Sequence, residues 1–136
     1  MGSISRRLAY YKMTPTQLSL KLLKKEGYTA QVVESWVPVA HVRRDLFGII
    51  DILAIKPGVF GVLGIQCTSF SNMGARLKKA GVNKHLLTWY KTGNNFEVWG
   101  SHKVDGKWVI EKKELVEKKF LPDTSSQLSS SLKILQ

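Results

Sequence analysis

Two polar side chains interrupt otherwise apolar runs and are the first candidates for chemistry. Asp51 lies within Gly48-Ile49-Ile50-Asp51-Ile52-Leu53-Ala54-Ile55, with apolar neighbours at both ±1 and ±2. A carboxylate in a half-buried strand is costly unless it is paired or binds a cation. Mg²⁺, which prefers carboxylate oxygens, is the natural compensation; an aspartate pointing to solvent from the free face of a sheet is the plain alternative. Gln66 lies within Val62-Leu63-Gly64-Ile65-Gln66-Cys67-Thr68. Strand alternation puts Gln66 and Thr68 on one face and Leu63, Ile65 and Cys67 on the other. If Ile55 and Val62 flank the intervening turn, Asp51 stands opposite Gln66. A tighter turn at Pro57-Gly58 would shift the pairing by two residues. Gly64, on the Gln66 face, would leave room for a substrate or an ion.

The elements that must position these residues follow from local signals. Residues 1–12 read as a loose basic arm. Thr14-Pro15 is an N-cap followed by proline at the first helical position. The helix it starts carries Leu18, Leu20, Leu22 and Leu23 as a core-facing stripe, and Gly27 stops it. Residues 29–38, rich in β-branched and aromatic types, predict a strand ended by Pro38. Residues 41–44 read as a connection and 46–55 as a mostly buried strand. Lys56-Pro57-Gly58 is a turn, and residues 59–68 return as the second arm of a hairpin. Ser69 to Asn72 is a polar loop that caps a short helix over about 73–80. Asn83 caps a second helical segment stopped by Gly93. A strand over 96–102, an Asp105-Gly106 turn and a returning strand from Trp108 complete the order. Residues 123–136 form a Ser-rich tail. Helix, three strands, helix, then strands make an α/β sandwich with a small mixed sheet over about 13–122.

The 136 residues amount to one domain, with 21 Lys and Arg against 10 Asp and Glu, a formal charge of +11. A polyanion is the simplest partner, because cationic side chains gain affinity by displacing counterions from phosphates. Between Asp51 and Glu97 there is no acidic residue, while Lys56, Arg76, Lys78, Lys79, Lys84 and Lys91 all fall in that gap. A surface kept clear of carboxylates is what a passing phosphate backbone requires. No apolar run is long enough to cross a bilayer, no apolar segment follows Arg6 and Arg7 as in a signal peptide, and no membrane partner is expected. The single Cys67 excludes an internal disulfide framework and fits a cytoplasmic protein. His41, His85 and His102 have no zinc-type spacing. The four tryptophans are more often core than platforms for bases, though one exposed indole could stack on single-stranded DNA.

Together the segments Val33-Glu34-Ser35-Trp36, Arg44-Asp45-Leu46-Phe47-Gly48-Ile49-Ile50-Asp51 and Gly64-Ile65-Gln66-Cys67-Thr68-Ser69 carry a resemblance. With Ala75-Arg76-Leu77-Lys78-Lys79, Trp89 and Glu97-Val98-Trp99-Gly100, they resemble small phage and bacterial members of the PD-(D/E)XK nuclease superfamily, the restriction-endonuclease-like and Holliday-junction-resolvase-like enzymes. The resemblance covers about 14–115. It implies an α-β-β-β-α-β core with a central mixed sheet flanked by helices, and metal-dependent hydrolysis of phosphodiesters with Mg²⁺ or Mn²⁺. Asp51 would be the central metal ligand. Gln66 takes the place of the acid on the third strand, where it offers oxygen without charge. Thr68 takes the place of the lysine, and threonine cannot supply a cation. Asp45, six residues before Asp51 and on the same face of a regular strand, and Glu34 would restore the negative charge. Lys79 or Lys78 from the next helix would reach in for the missing lysine.

The expected function is therefore that of a metal-dependent DNA endonuclease, with junction or branched DNA among its candidate substrates. Its catalytic set would be Asp51, Gln66, Asp45, Thr68 and Lys79, and its phosphate contacts Arg43, Arg44, Arg76, Lys78, Lys79 and Lys84. A homodimer would supply the two sites that cutting two strands needs. The alternative is a nuclease-fold module that has lost catalysis and only binds DNA or RNA, which the pair Gln66 and Thr68 favours.

Overall fold

The computed structural model describes residues 13–115. The arm over 1–12, the tail over 123–136 and positions 116–122 of the expected domain lie outside the described residues. Helix α1 (Pro15–Lys25) begins with a capping box. The Thr14 hydroxyl accepts from the Gln17 N–H, and the Gln17 side chain accepts from the Thr14 N–H. Strand β1 (Thr29–Val32) leads to a two-stranded ribbon, β2 (Ser35–Val37) and β3 (Val42–Arg44). Strands β4 (Ile52–Ile55) and β5 (Leu63–Ser69) follow, then a single 3₁₀ turn (Phe70–Asn72) and helices α2 (Met73–Gly81) and α3 (Lys84–Lys91). The Asn83 side chain caps α3 by accepting from the N–H groups of His85 and Leu86. Strands β6 (Asn95–Val104) and β7 (Lys107–Glu114) close the chain. Their Asp105-Gly106 turn has positive φ at both positions, the geometry that matches strand twist.

The main sheet is five-stranded and mixed, in the order β1-β4-β5-β6-β7. Only β5 and β6 run parallel, joined by the crossover through α2 and α3. One face buries Leu23 of α1 with Ile52, Ile65, Cys67 and Trp99. The other buries Ala80 of α2 and Leu86 of α3 with Ile50, Phe96 and Val98. Strand alternation sets this split, so Asp51 and Gln66 face the α2–α3 side while Cys67 faces α1. Among the described residues no helix is long and apolar enough to cross a membrane.

Several sequence expectations change here. The expected strand over 29–38 breaks after Val32, and its second half leaves the sheet. The expected strand over 46–55 is regular only from Ile52. Phe47 and Gly48 both have positive φ, and Leu46 to Ile50 form a tight loop closed by the Leu46 N–H on the Ile50 carbonyl at 2.8 Å. That loop deprives residues 35–37 of a partner in the main sheet. They pair instead with 42–44, which is strand β3 rather than a connection. The expected strand over 59–68 starts only at Leu63, because Gly61 turns the chain with φ +82°. Asn72 sits at the N-cap of α2 but makes no side-chain capping bond.

Gly61 is a site where only glycine fits. A Cβ there would lie 2.0 Å from the Gly93 carbonyl oxygen, a backbone atom that cannot move aside. Gly61→Ala is therefore expected to destabilise the fold by about 2–3 kcal/mol, from both the clash and the left-handed φ. A urea titration reads this as a lowered midpoint with an unchanged slope.

Candidate metal centre

Two continued registers bring three carboxylates together. In the ribbon Ser35 pairs with Arg44, so one step further places Glu34 opposite Asp45. Between β1 and β4 the pairing ends at Val32 and Ile52, and one step further the Val33 N–H donates to the Asp51 carbonyl at 2.8 Å. Glu34 thus follows directly on the residue bonded to Asp51, and Asp45 lies across from Glu34. One carboxylate oxygen from each of Glu34, Asp45 and Asp51 lies within 4.8 Å of the others. This arrangement can hold a metal ion. Asp45 arrives through the ribbon and not by alternation along one strand, as the sequence had suggested, because the Leu46–Ile50 loop interrupts the strand between it and Asp51.

Asp51 is the buried member, at 4% exposure. Its N–H donates to the Ile65 carbonyl just before the first β4–β5 pair, Ile52 with Ile65, in the register in which Ile55 and Val62 flank the turn, and this brings its side chain to Gln66. The Gln66 Nε2 donates to Asp51 Oδ2 at 2.6 Å, and the Cys67 backbone N–H donates to the same oxygen at 2.8 Å. Both bonds fall on Oδ2, which leaves Oδ1 outside them. The Gln66 Oε1 is buried without a hydrogen-bond partner among the described residues. An unpartnered buried oxygen costs about 1–3 kcal/mol, and a cation beside Asp51 would satisfy it.

Burial, first, and then the adjoining Asp45 carboxyl push the Asp51 pKa up to about 8, with a smaller push from Glu34. The Cys67 N–H opposes the shift. Near neutral pH the metal-free cluster therefore keeps a proton on Asp51. A divalent cation would replace that proton. The donor set is all oxygen, which suits a hard cation. The soft ligand candidate, Cys67, points to the opposite face, and burial raises its thiol to about 12, which makes it an inert core side chain.

The remaining candidates separate. Thr68 is buried on β5. Lys78 and Lys79 are exposed in the last turn of α2, and neither ion-pairs with the three carboxylates among the described residues. The cation that does is Arg43, whose Nη1 lies 3.3 Å from Glu34 Oε1. Sequence reasoning placed Arg43 only among phosphate contacts. Its signal was alternation, since Arg43 stands two residues before Asp45 and shares its face. Arg44 is exposed on the other face of β3, Arg76 is half-buried on α2 and Lys84 opens α3 in solvent. Gly64 leaves no room for an ion. A Cβ there would lie 2.8 Å from Ile50 Cδ1 and 3.2 Å from Trp89, so the space is filled by core packing.

Comparison of the chain with protein-family models, curated proteins and solved structures gives no match.

Proposed function

We propose that the chain is a metal-dependent nuclease of the PD-(D/E)XK type that hydrolyses phosphodiester bonds in DNA. The observation that carries this reading is the convergence of Glu34, Asp45 and Asp51 within 4.8 Å, beside the buried, unpartnered Gln66 oxygen. Three carboxylates forced together in a partly buried pocket repel one another, and a divalent cation is what makes such a site stable. The order of helix, antiparallel strands, crossover helices and parallel strand agrees with the restriction-endonuclease-like core. The net charge of +11 supports a polyanionic substrate.

In this reading Glu34, Asp45 and Asp51 hold Mg²⁺ or Mn²⁺, with Gln66 as a neutral oxygen donor. The bound ion supplies Lewis-acid polarisation of the phosphate and a water acidified for attack. Gln66 and the Cys67 N–H keep Asp51 in place, so no reorganisation is needed when substrate arrives. Arg43 takes the part left open by Thr68. Its guanidinium, already at the carboxylates, neutralises the charge that builds on the phosphate oxygens. Arg43→Ala is accordingly expected to lower kcat by about 10–100-fold, with Arg43→Lys intermediate and Lys79→Ala within about twofold of wild type. Single-turnover rates separate these outcomes; a large loss in Lys79→Ala with none in Arg43→Ala would reverse the assignment.

The whole reading is tested by incubating wild type and Asp51→Ala with single-stranded, duplex and branched DNA, in Mg²⁺, in Mn²⁺ and in EDTA. New ends that require the metal and vanish in Asp51→Ala support it. Salt-dependent binding without cleavage in either metal, unchanged in Asp51→Ala, overturns it in favour of a DNA-binding module. Cutting of both strands of a duplex at one place would further imply two copies acting together.

A further inference from the structure

The ribbon that brings Glu34 and Asp45 together continues outward from the cluster, and its composition is not that of a structural support. Alternation along β2 and β3 puts Glu34, Trp36, Arg43 and Asp45 on one face, and Ser35, Val37, Val42 and Arg44 on the other. Trp36 and Arg43 are direct cross-strand partners. His41 extends the first face toward the tip, with its ring 6.2 Å from that of Trp36 at an interplanar angle of 65°. One face therefore reads, from foot to tip, the carboxylates, then the guanidinium and the indole side by side, then the imidazole.

The outer part of this strip, from Arg43 and Trp36 to His41, lies in solvent. Trp36 is 55% exposed and Val39, at the tip, 95%. A two-stranded ribbon of this length has no core of its own to hold a tryptophan. Trp36 joins neither of the two hydrophobic clusters of the main sheet, so it does not serve to pack the fold.

We infer that this face of the β2–β3 ribbon is a binding surface for an unpaired DNA strand, with Arg43 taking a phosphate and Trp36 stacking on a base next to the cut. The occupant follows from an exposed guanidinium placed beside an exposed indole and from continuity with the metal centre. Arg43 and Trp36 together form the level next to Glu34 and Asp45, so a strand with one phosphate at the carboxylates sets its next phosphate on the guanidinium and its base on the indole beside it. Two residues along a strand span about 6.6 Å, which sets Trp36 one step beyond Glu34. A base inside a duplex is covered on both faces by its neighbours and offers only its edges. An unpaired base offers a whole face, which is what an exposed indole recognises without regard to sequence. The same surface fits a fork or junction, where paired and unpaired segments meet. The location of the cut rests on the nuclease reading; the strand-binding surface does not.

The test is fluorescence anisotropy in EDTA, where no cleavage intervenes, with the full chain. The probes are a labelled oligothymidine of about 12 nucleotides and a blunt duplex of the same length. Wild type is expected to prefer the single strand. Trp36→Ala should weaken single-strand binding by about tenfold or more and leave duplex binding within about twofold, while Trp36→Phe keeps most of the affinity. Unchanged thermal midpoints in both variants exclude a folding defect. A duplex preference in wild type, an equal loss on both probes or no loss on either would overturn the inference. If Trp36 governs strand binding yet Mg²⁺ elicits no cleavage, the nuclease reading fails and the ribbon assignment stands. If Asp51-dependent cleavage occurs and Trp36 matters to neither probe, the reverse holds.

Discussion

Substituting asparagine for Asp51 is expected to abolish metal-dependent hydrolysis, by about 10³-fold or more, and at the same time to make the metal-free protein more stable. The two effects share one cause. In the metal-free cluster the Asp51 carboxyl is 4% exposed, sits beside Asp45 and Glu34, and has its pKa pushed up to about 8. Folding at neutral pH must therefore either bury its charge against two like charges or take up a proton. Asparagine has the same shape and no charge. Its oxygen can accept the bonds from Gln66 Nε2 and the Cys67 N–H that Asp51 accepts, and its amide can donate toward Asp45. The gain is expected to be on the order of 2 kcal/mol near pH 7. A loss of about 10³ in rate corresponds to about 4 kcal/mol of transition-state stabilisation. Urea denaturation in EDTA and single-turnover cleavage in Mg²⁺ read the two effects separately. An asparagine variant that cleaves like wild type would remove Asp51 from the centre. One that is destabilised in EDTA would mean that the charge is held in the fold by something other than a metal.

The second large effect is a dependence of stability on pH that runs against the usual carboxylate behaviour. An aspartate held by an ion pair has a lowered pKa and stabilises the fold above its unfolded value. Asp51 is raised, from 3.8 to about 8. The folded state thus binds more protons than the unfolded state across that window. The stabilising contribution is fully present below about pH 4, falls as pH rises and is gone above about pH 8. The limiting slope for one proton is about 1.4 kcal/mol per pH unit. The cleanest measure is the difference between wild type and Asp51→Asn from about pH 5 to 7.5. In EDTA that difference should widen with pH in favour of the variant. Saturating Mg²⁺ should flatten the wild-type profile, because the ion takes the proton's place, and Mg²⁺ should bind more tightly as pH rises, with release of about one proton. A flat difference profile in EDTA would mean that Asp51 is ionised throughout and that the crowding with Asp45 is relieved in solution.

How far these features were legible in the sequence varies with the distance over which they are determined. The helices were readable because their ends are local chemistry: Thr14 with Gln17, Asn83 with the two N–H groups after it, and Gly27 and Gly93 past the last turns. The β6–β7 hairpin was readable because two residues, Asp105 and Gly106, set its turn. Asp51 and Gln66 stood out because a polar side chain in an apolar run must be compensated within the fold. Their pairing was one of two registers that the sequence allowed, and the chain between Ile55 and Val62 selected it.

What the sequence left open depends on contacts between segments that no local pattern specifies. Leu46 to Ile55 has the composition of one long strand. Whether Gly48 interrupts it depends on the cost of a left-handed turn against the contacts the turn makes, and those contacts include the Asn83 side chain on the Phe47 carbonyl, far along the chain. The same turn frees residues 35–37 to build the ribbon, and the ribbon's register sets Glu34 against Asp45. Arg43 could be counted as a basic residue from the sequence, but its place beside Glu34 comes from that register. The sequence by itself determined that this protein buries one carboxylate on a strand and carries excess positive charge. The tertiary structure decided which carboxylates join it, which cation stands beside them and that Trp36 stays in solvent next to them. Residue types set the cost of burying a charge, whereas its remedy is set by segments that meet only when the chain folds.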